Sequence, residues 1–447
     1  MNQTLSAVAV PIPSNETAPV SRAYAWAVFA LTFGLMLSDY LSRQVIGAVM
    51  PALKAEWGLL DTQLGMLVSV VSLVVGLLTV PISLVADRWG RVKSITLMAF
   101  VWCLATVACG LAQSYGQLLG ARALVGLGEA AYGAVGAALL AHVFPEKQRA
   151  AVLGAFLSAS LFGSVLGVVI GGAVAAQSGW RMAFFAVGAP GLLLALIYPF
   201  VVRDYKAVEL TAEGQRNTAP KRLGLAQIAR EVFASRSGNF AYVASGLQMV
   251  MPGMLIAWLP TYFGRYYDMD VKKAALMAAV AVLAAGIGMI FGGGLADRLS
   301  AKHPRRRALV PAVYSVLTAL SLIIAFALPP GPVGFGLILL GALFAAAQTG
   351  CSAALVCDVT HPGVRSTVAA TMTLANSLIG LAPGPFIVGI LSDFLGLKLA
   401  LTLAPVLALV AAVFFVLASR NYEADSARNH ARSPEDSSPD SVHQGGQ

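Results

Sequence analysis

The chain has 447 residues, of which 58% are hydrophobic and 11% charged, with a mean hydropathy of +0.76. That balance leaves too little polar surface to cover a water-soluble domain of this length. The net charge of +9 falls in short connections, with no basic stripe interleaved with aromatics, which argues against a nucleic-acid partner.

Residues 1–22 are rich in Pro, Ser and Thr and lack a basic n-region before a short apolar core. They predict a disordered cytoplasmic N-terminus without a cleavable signal, the first helix itself directing insertion. Asn15-Glu16-Thr17 fits a glycosylation sequon that a cytoplasmic segment never presents to that machinery, so it reads as chance. Twelve apolar runs of about 20 residues follow, near 24–50, 64–86, 94–113, 117–143, 150–177, 181–202, 238–263, 273–296, 307–328, 332–357, 366–392 and 397–418. Runs such as Leu67 to Val80 do not alternate in polarity, as the strands of a membrane barrel would. The expected fold is an all-α membrane protein of two six-helix halves, 23–202 and 238–418, related by pseudo-two-fold symmetry. A polar, basic cytoplasmic linker, 203–237, joins them and carries an amphipathic stretch around Leu225 to Phe233; a disordered cytoplasmic tail occupies 419–447.

The basic residues alternate in density between connections. Arg88, Arg91, Lys93, Lys147, Arg149, the run from Arg203 to Arg236, Arg298 to Arg307 and Arg365 fall on one side. The other side holds chiefly Lys54, Arg181, Arg265, Lys272, Lys273 and Lys398. This asymmetry puts both termini in the cytoplasm and the chain in the plasma (inner) membrane. Cys103, Cys109, Cys351 and Cys357 lie in or at the ends of predicted helices without CxxC spacing, so they read as buried thiols. The five histidines lie at helix ends, in loops or in the tail. No metal site, nucleophile triad or Walker loop is visible, so neither a cofactor nor an enzymatic activity is expected.

One charged loop occurs twice, about 210 residues apart. Ala86-Asp87-Arg88-Trp89-Gly90-Arg91-Val92-Lys93 follows the second apolar run, and Ala296-Asp297-Arg298, with Lys302 and Arg305-Arg306-Arg307, follows the eighth. The repeat resembles the signature between helices 2 and 3 of the major facilitator superfamily, with Ser83 for the opening glycine in the first copy and a departure at Ser300 in the second. An acid at a helix end beside a basic turn can pair with a neighbouring helix, so Asp87, Arg88, Arg91, Asp297 and Arg298 are the candidate conformational latch. A solvated positive-inside loop is the plainer alternative.

Arg122-Ala123-Leu124-Val125-Gly126-Leu127-Gly128-Glu129 resembles the fourth-helix sequence of the Spinster-like branch of that superfamily. Tyr40-Leu41-Ser42-Arg43 aligns with that branch's Met-Asp-Arg element, keeping the arginine as Arg43 but placing Ser42 at the acid; the nearest carboxylate is Asp39, one turn earlier. The stretch from Glu56-Trp57-Gly58 to Asp61-Thr62-Gln63-Leu64-Gly65 also fits relatives that transport organic anions.

Asp39 and Arg43 are one helical turn apart, and Arg122 and Glu129 share a face of one predicted helix. Ionisable groups inside a membrane cost several kcal/mol unless they pair or face water, which makes these four functional candidates. The alternative is a permanent network that glues helices 1 and 4. Burial and a nearby arginine pull a carboxyl's proton affinity in opposite directions, so Glu129 and Asp39 are the candidate proton-coupling groups. Protonation would release an arginine for a substrate carboxylate or phosphate, and proton and anion would move together in symport.

Gly154, Gly163, Gly167, Gly171 and Gly172 have the spacing of the glycine motif of drug:proton antiporters, but such glycines more commonly serve close helix packing. Helices 1, 4, 7 and 10 line the cavity of the superfamily the chain resembles. The candidate substrate contacts are therefore Arg43, Arg122 and Tyr132 in the first half, and Gln248, Tyr262, Gln348 and Asn376 in the second. The resulting reading is a monomeric, proton-coupled secondary transporter of an organic or amphipathic anion, its partners being that small molecule, protons and membrane lipids. Proton-coupled efflux of lipid-like or drug-like compounds is the alternative, and a non-transporting sensor or passive channel is the competing class.

Overall fold

The computed structural model describes residues 21–203, 230–300, 305–360 and 365–430. The expectations for residues 1–20, for most of the linker (204–229) and for 431–447 lie outside the described residues, as do those for Lys302, His303, His361 and His443.

In hydrocarbon each backbone amide must be satisfied within its own segment, which selects helices for apolar runs of this length. Among the described residues, twelve helical spans are long and apolar enough to cross a membrane. The first half comprises α1 (Arg22–Trp57), α2 (Asp61–Trp89), α3 (Arg91–Leu111), α4 (Tyr115–Glu129), α5 (Tyr132–Val143), α6 (Glu146–Ser178) and α7 (Trp180–Val201). The second comprises α8 (Arg236–Tyr266), α9 (Val271–Ser300), α10 (Arg306–Ala327), α11 (Pro332–Asp358), α12 (Arg365–Ala375), α13 (Pro383–Leu395), α14 (Leu397–Leu403) and α15 (Val406–His430).

Two spans are interrupted where polar groups gather. The fourth is split into α4 and α5 at Ala130-Ala131, and the Thr79 hydroxyl on α2 donates to the carbonyl of Ala130 at 2.6 Å. The eleventh holds one π-helical turn, Asn376–Leu381, between α12 and α13. Its Ala382 N–H reaches back to Ser377 at 2.9 Å, and Pro383, which has no N–H to donate, opens α13. The Trp258 indole donates to the carbonyl of Pro385 at 3.0 Å, tying this segment to α8.

The last span does not stop at residue 418. α15 runs to His430, so 419–430, expected as disordered tail, is helix. Its polar end is held by contacts that hydropathy does not register: Tyr422 Oη donates to Asp358 at 3.1 Å, and Asn429 Nδ2 to the Asp358 carbonyl at 3.0 Å. Asp425 accepts from the Ser237 N–H and hydroxyl at 2.9 and 2.7 Å, at the start of α8.

Of the glycines of the fifth span, Gly163, Gly167, Gly171 and Gly172 serve packing, whereas a Cβ at Gly154 would meet nothing within 4 Å. A Cβ at Gly163 or Gly167 would stand 2.7 or 2.9 Å from the carbonyls of Leu37 and Leu41, so α1 and α6 meet backbone to backbone. Cys103, Cys109 and Cys351 are buried free thiols, and Cys357 is a half-buried one.

Candidate functional site

Asp39 is central in α1, and Glu129, the last residue of α4, is central in the span Tyr115–Val143. The two carboxylates meet on one guanidinium. Arg43 Nε lies 3.5 Å from Asp39 Oδ1, one turn below it, and 3.0 Å from Glu129 Oε2 across the helix pair. Asp39 therefore reaches Arg43 from one turn away, while Ser42 stands directly before the arginine. Glu129 also sits at the negative end of the α4 dipole, where a carboxylate is least favoured, which leaves Arg43 as its compensating contact. Side-chain exposure is 20% for Arg43, 4% for Asp39 and 0% for Glu129, so the arginine is the member that solvent reaches. Its guanidinium carbon stands 5.4 Å from the centre of the Tyr40 ring.

Arg122 departs from the expected pairing. It forms no ion pair with a described carboxylate; its guanidinium donates to the carbonyls of Leu67 (3.1 Å), Ser42 (3.0 Å) and Arg43 (3.3 Å). The long side chain reaches the backbones of α1 and α2 instead of a carboxylate. Tyr132, expected to contact substrate, is fully buried: its hydroxyl donates to the Thr32 carbonyl at 2.6 Å and its ring meets Trp102 edge-on.

Three of the second-half candidates, Gln248, Gln348 and Tyr262, are buried with spare hydrogen-bonding capacity. Gln248 Nε2 donates to Thr318 at 3.1 Å while its Oε1 has no partner, and Gln348 accepts from Ser352 while its Nε2 has none. The Tyr262 hydroxyl is likewise unpartnered, in a cluster with Tyr266, Tyr267 and Phe326. Asn376 opens the π turn and accepts from Ser245 at 2.8 Å. Unmade hydrogen bonds on buried groups cost about 1–3 kcal/mol each, so such atoms mark places for water or ligand.

The two copies of the repeated loop differ in their partners. In the first, the side chain of Asp87 lies outside the described set, Arg88 is exposed, and Arg91 donates to the Ala138 carbonyl at 3.1 Å, tying α3 to α5. In the second, Asp297 lies 3.3 Å from Arg307, which also pairs with Asp358, joining α9, α10 and α11 within one half. Arg298 makes no ion pair with any described residue.

Among the described residues, the ionic contact between the halves lies at the opposite face, away from the candidate residues above. Asp61, at the start of α2, accepts from Arg265 of α8 through two contacts of 2.8 Å, from Lys54 at 2.6 Å, and from the hydroxyl of Ser392 on α13. Asp393 caps α2 in return, accepting from the N–H groups of Asp61 (2.8 Å) and Thr62 (2.9 Å) and from the Thr62 hydroxyl (2.6 Å). The helices cross closely enough that a Cβ at Gly65 would stand 2.4 Å from the Pro385 carbonyl oxygen, and one at Gly389 2.6 Å from that of Asp61. Cations on a face otherwise poor in them, Lys54 and Arg265, were the available signal, because each needs an acid.

Twelve spans in two interlocked helical halves, with a charged cluster at mid-span, form the architecture of a membrane transporter. The family model described as Major Facilitator Superfamily matches residues 32–383, and the chain belongs to that superfamily. A probable L-galactonate transporter of Escherichia coli (strain K12) is 29% identical over 306 residues, 66% of this chain and 67% of that protein. Protein spinster homolog 1 of Xenopus laevis is 25% identical over 386 residues, 82% and 72% of the two chains. The crystal structure of a bacterial homolog of the human lysosomal transporter Spinster, inward-facing and unoccupied, superposes with a TM-score of 0.81 at 24% identity, covering 91% of this chain and 99% of that one.

Proposed function

We propose that the chain carries an organic anion across the plasma membrane by alternating access, coupled to protons, with both termini cytoplasmic. The observation that carries this reading is the shared guanidinium: Asp39 and Glu129 both contact Arg43, and only Arg43 is open to solvent. With both acids ionised, two carboxylates face one guanidinium, and the net negative cluster repels an anion. A proton on either carboxyl brings the cluster to neutrality and leaves Arg43 one carboxylate partner instead of two, so its remaining N–H groups can take a carboxylate or phosphate arriving from the cavity. Anion binding in turn favours the protonated cluster, and this reciprocity couples the two fluxes.

The relative named for L-galactonate supports a small carboxylate as substrate, and the unpartnered atoms of Gln248, Gln348 and Tyr262 suit the hydroxyls of such a molecule. The lock between Asp61 and Arg265 supports an inward-facing state, because the basic-rich loops that positive-inside charge assigns to the cytoplasm lie at the other end of the spans. The test follows internal pH in proteoliposomes as sugar acids, other carboxylates, phosphorylated lipids and neutral sugars are added. Acidification with carboxylates only is expected; a response to neutral sugars in their place would overturn the anion assignment.

A further inference from the structure

Away from the mid-span cluster, α9, α10 and α11 enclose an open apolar groove of about 430 Å³ on the bundle surface. Ile287, Phe291 and Gly294 of α9 line it with Tyr314 of α10 and Phe344 of α11, and Arg298 stands at one end. The Tyr314 and Phe344 rings stack with centroids 5.9 Å apart. The Tyr314 hydroxyl is already engaged, donating to the Gly292 carbonyl at 3.2 Å.

We propose that this groove is a site for one anionic glycerophospholipid, an acyl chain lying along α9 and the phosphate resting on Arg298. Three observations carry the assignment. From Ile287 to Arg298 a helix rises about 16 Å, close to half of a hydrocarbon core of about 30 Å, so the groove matches the depth of one leaflet. Arg298 lacks an ionic partner among the described residues although its neighbour Asp297 has one, leaving a lone cation at the level of the headgroups. The exposed Arg305 and Arg306, at the start of α10, add positive charge at the same end of the bundle. A free phosphate ion would leave the apolar length of the groove unused.

The test is native mass spectrometry of the intact protein released from mixed micelles containing equal phosphatidylglycerol and phosphatidylcholine. The wild type should retain phosphatidylglycerol with a preference of about five-fold, the effect of one interfacial cation on an anionic headgroup. Arg298→Gln should abolish the preference. Gly294→Leu should displace both lipids by filling the groove, since a Cβ there meets nothing within 4 Å and the fold has room for it. Gly293→Leu, equally unhindered but not lining the groove, is the matched control and should retain lipid as the wild type does. Equal retention of the two lipids by the wild type, an unchanged preference in Arg298→Gln, or displacement by inorganic phosphate alone would each overturn the proposal.

Discussion

Asp61 and Arg265 stand 204 positions apart in sequence and meet through two parallel contacts of 2.8 Å, one residue from each half of the bundle. Asp61 is nearly inaccessible, with a side-chain exposure of 4%, while Arg265 keeps 31%, so the pair is stronger than a surface ion pair yet only partly desolvated. Lys54 and Ser392 complete the carboxylate's shell. A contact of this kind resists separation of the halves at one face, and its rupture is a requirement of any cycle that opens there.

Asp61→Asn should therefore raise the share of molecules open at this face by roughly ten-fold, the effect of about 1.4 kcal/mol lost from one state. Spin labels on Leu60 and Lys272, both exposed, report the separation in a background without the four native cysteines. Electron–electron distance measurements should show a new, longer population. An unchanged distribution would mean that apolar packing, not the ion pair, holds the face closed.

Gly65→Ala tests the same face through sterics. The added Cβ would lie 2.4 Å from a backbone oxygen that no rotamer change can move, so α2 and α13 must part. The same label pair should lengthen as it does in Asp61→Asn, with all charges intact. Gly154→Ala, whose Cβ would meet nothing within 4 Å, serves as the comparison and should leave the distances unchanged.

Much of the architecture was legible because lipid leaves a chain few choices. Hydropathy alone locates twelve spans when every apolar run must close its own hydrogen bonds. What escaped the sequence was contact specificity. Arg122 and Glu129 share a helix face, yet the arginine's length lets it reach the carbonyls of Leu67, Ser42 and Arg43 instead. Asp393 lies near the end of its own helix, and nothing close to it in sequence signals that α13 sets it on the first turn of α2. The helix from 419 to 430 was missed because its polar residues are held by Asp358 and Ser237, partners distant in sequence. The contact between Asp39 and Arg43 was legible for the converse reason: the two are one helical turn apart, a distance the sequence encodes directly.

Arg122→Gln should lower thermal stability more than Arg43→Gln does, because it strips three carbonyls of their donor and uncouples α1, α2 and α4. Leaving such groups unpaired costs about 1–3 kcal/mol each before relaxation. Substrate binding, normalised to folded protein, should persist in Arg122→Gln and vanish in Arg43→Gln. The reverse pattern, with Arg122→Gln stable but unable to bind, would restore Arg122 as a ligand contact. Melting in detergent by intrinsic fluorescence and equilibrium binding on the same preparations separate the two cases.

Glu129→Gln should uncouple the transporter. An amide at this position imitates the protonated acid, so Arg43 stays available and anion exchange down a gradient continues, while an imposed proton gradient no longer drives accumulation. Asp39→Asn removes the other carboxylate from the same guanidinium and should have the same effect, because the two acids share one cation. The double variant should add little to either single one, the non-additivity expected of residues in one network. Uptake of labelled substrate into proteoliposomes, with and without an inward proton gradient, separates exchange from accumulation. Proton-driven accumulation at the wild-type level in Glu129→Gln would remove this residue from the coupling step and leave its contact with Arg43 a structural tie between α1 and α4.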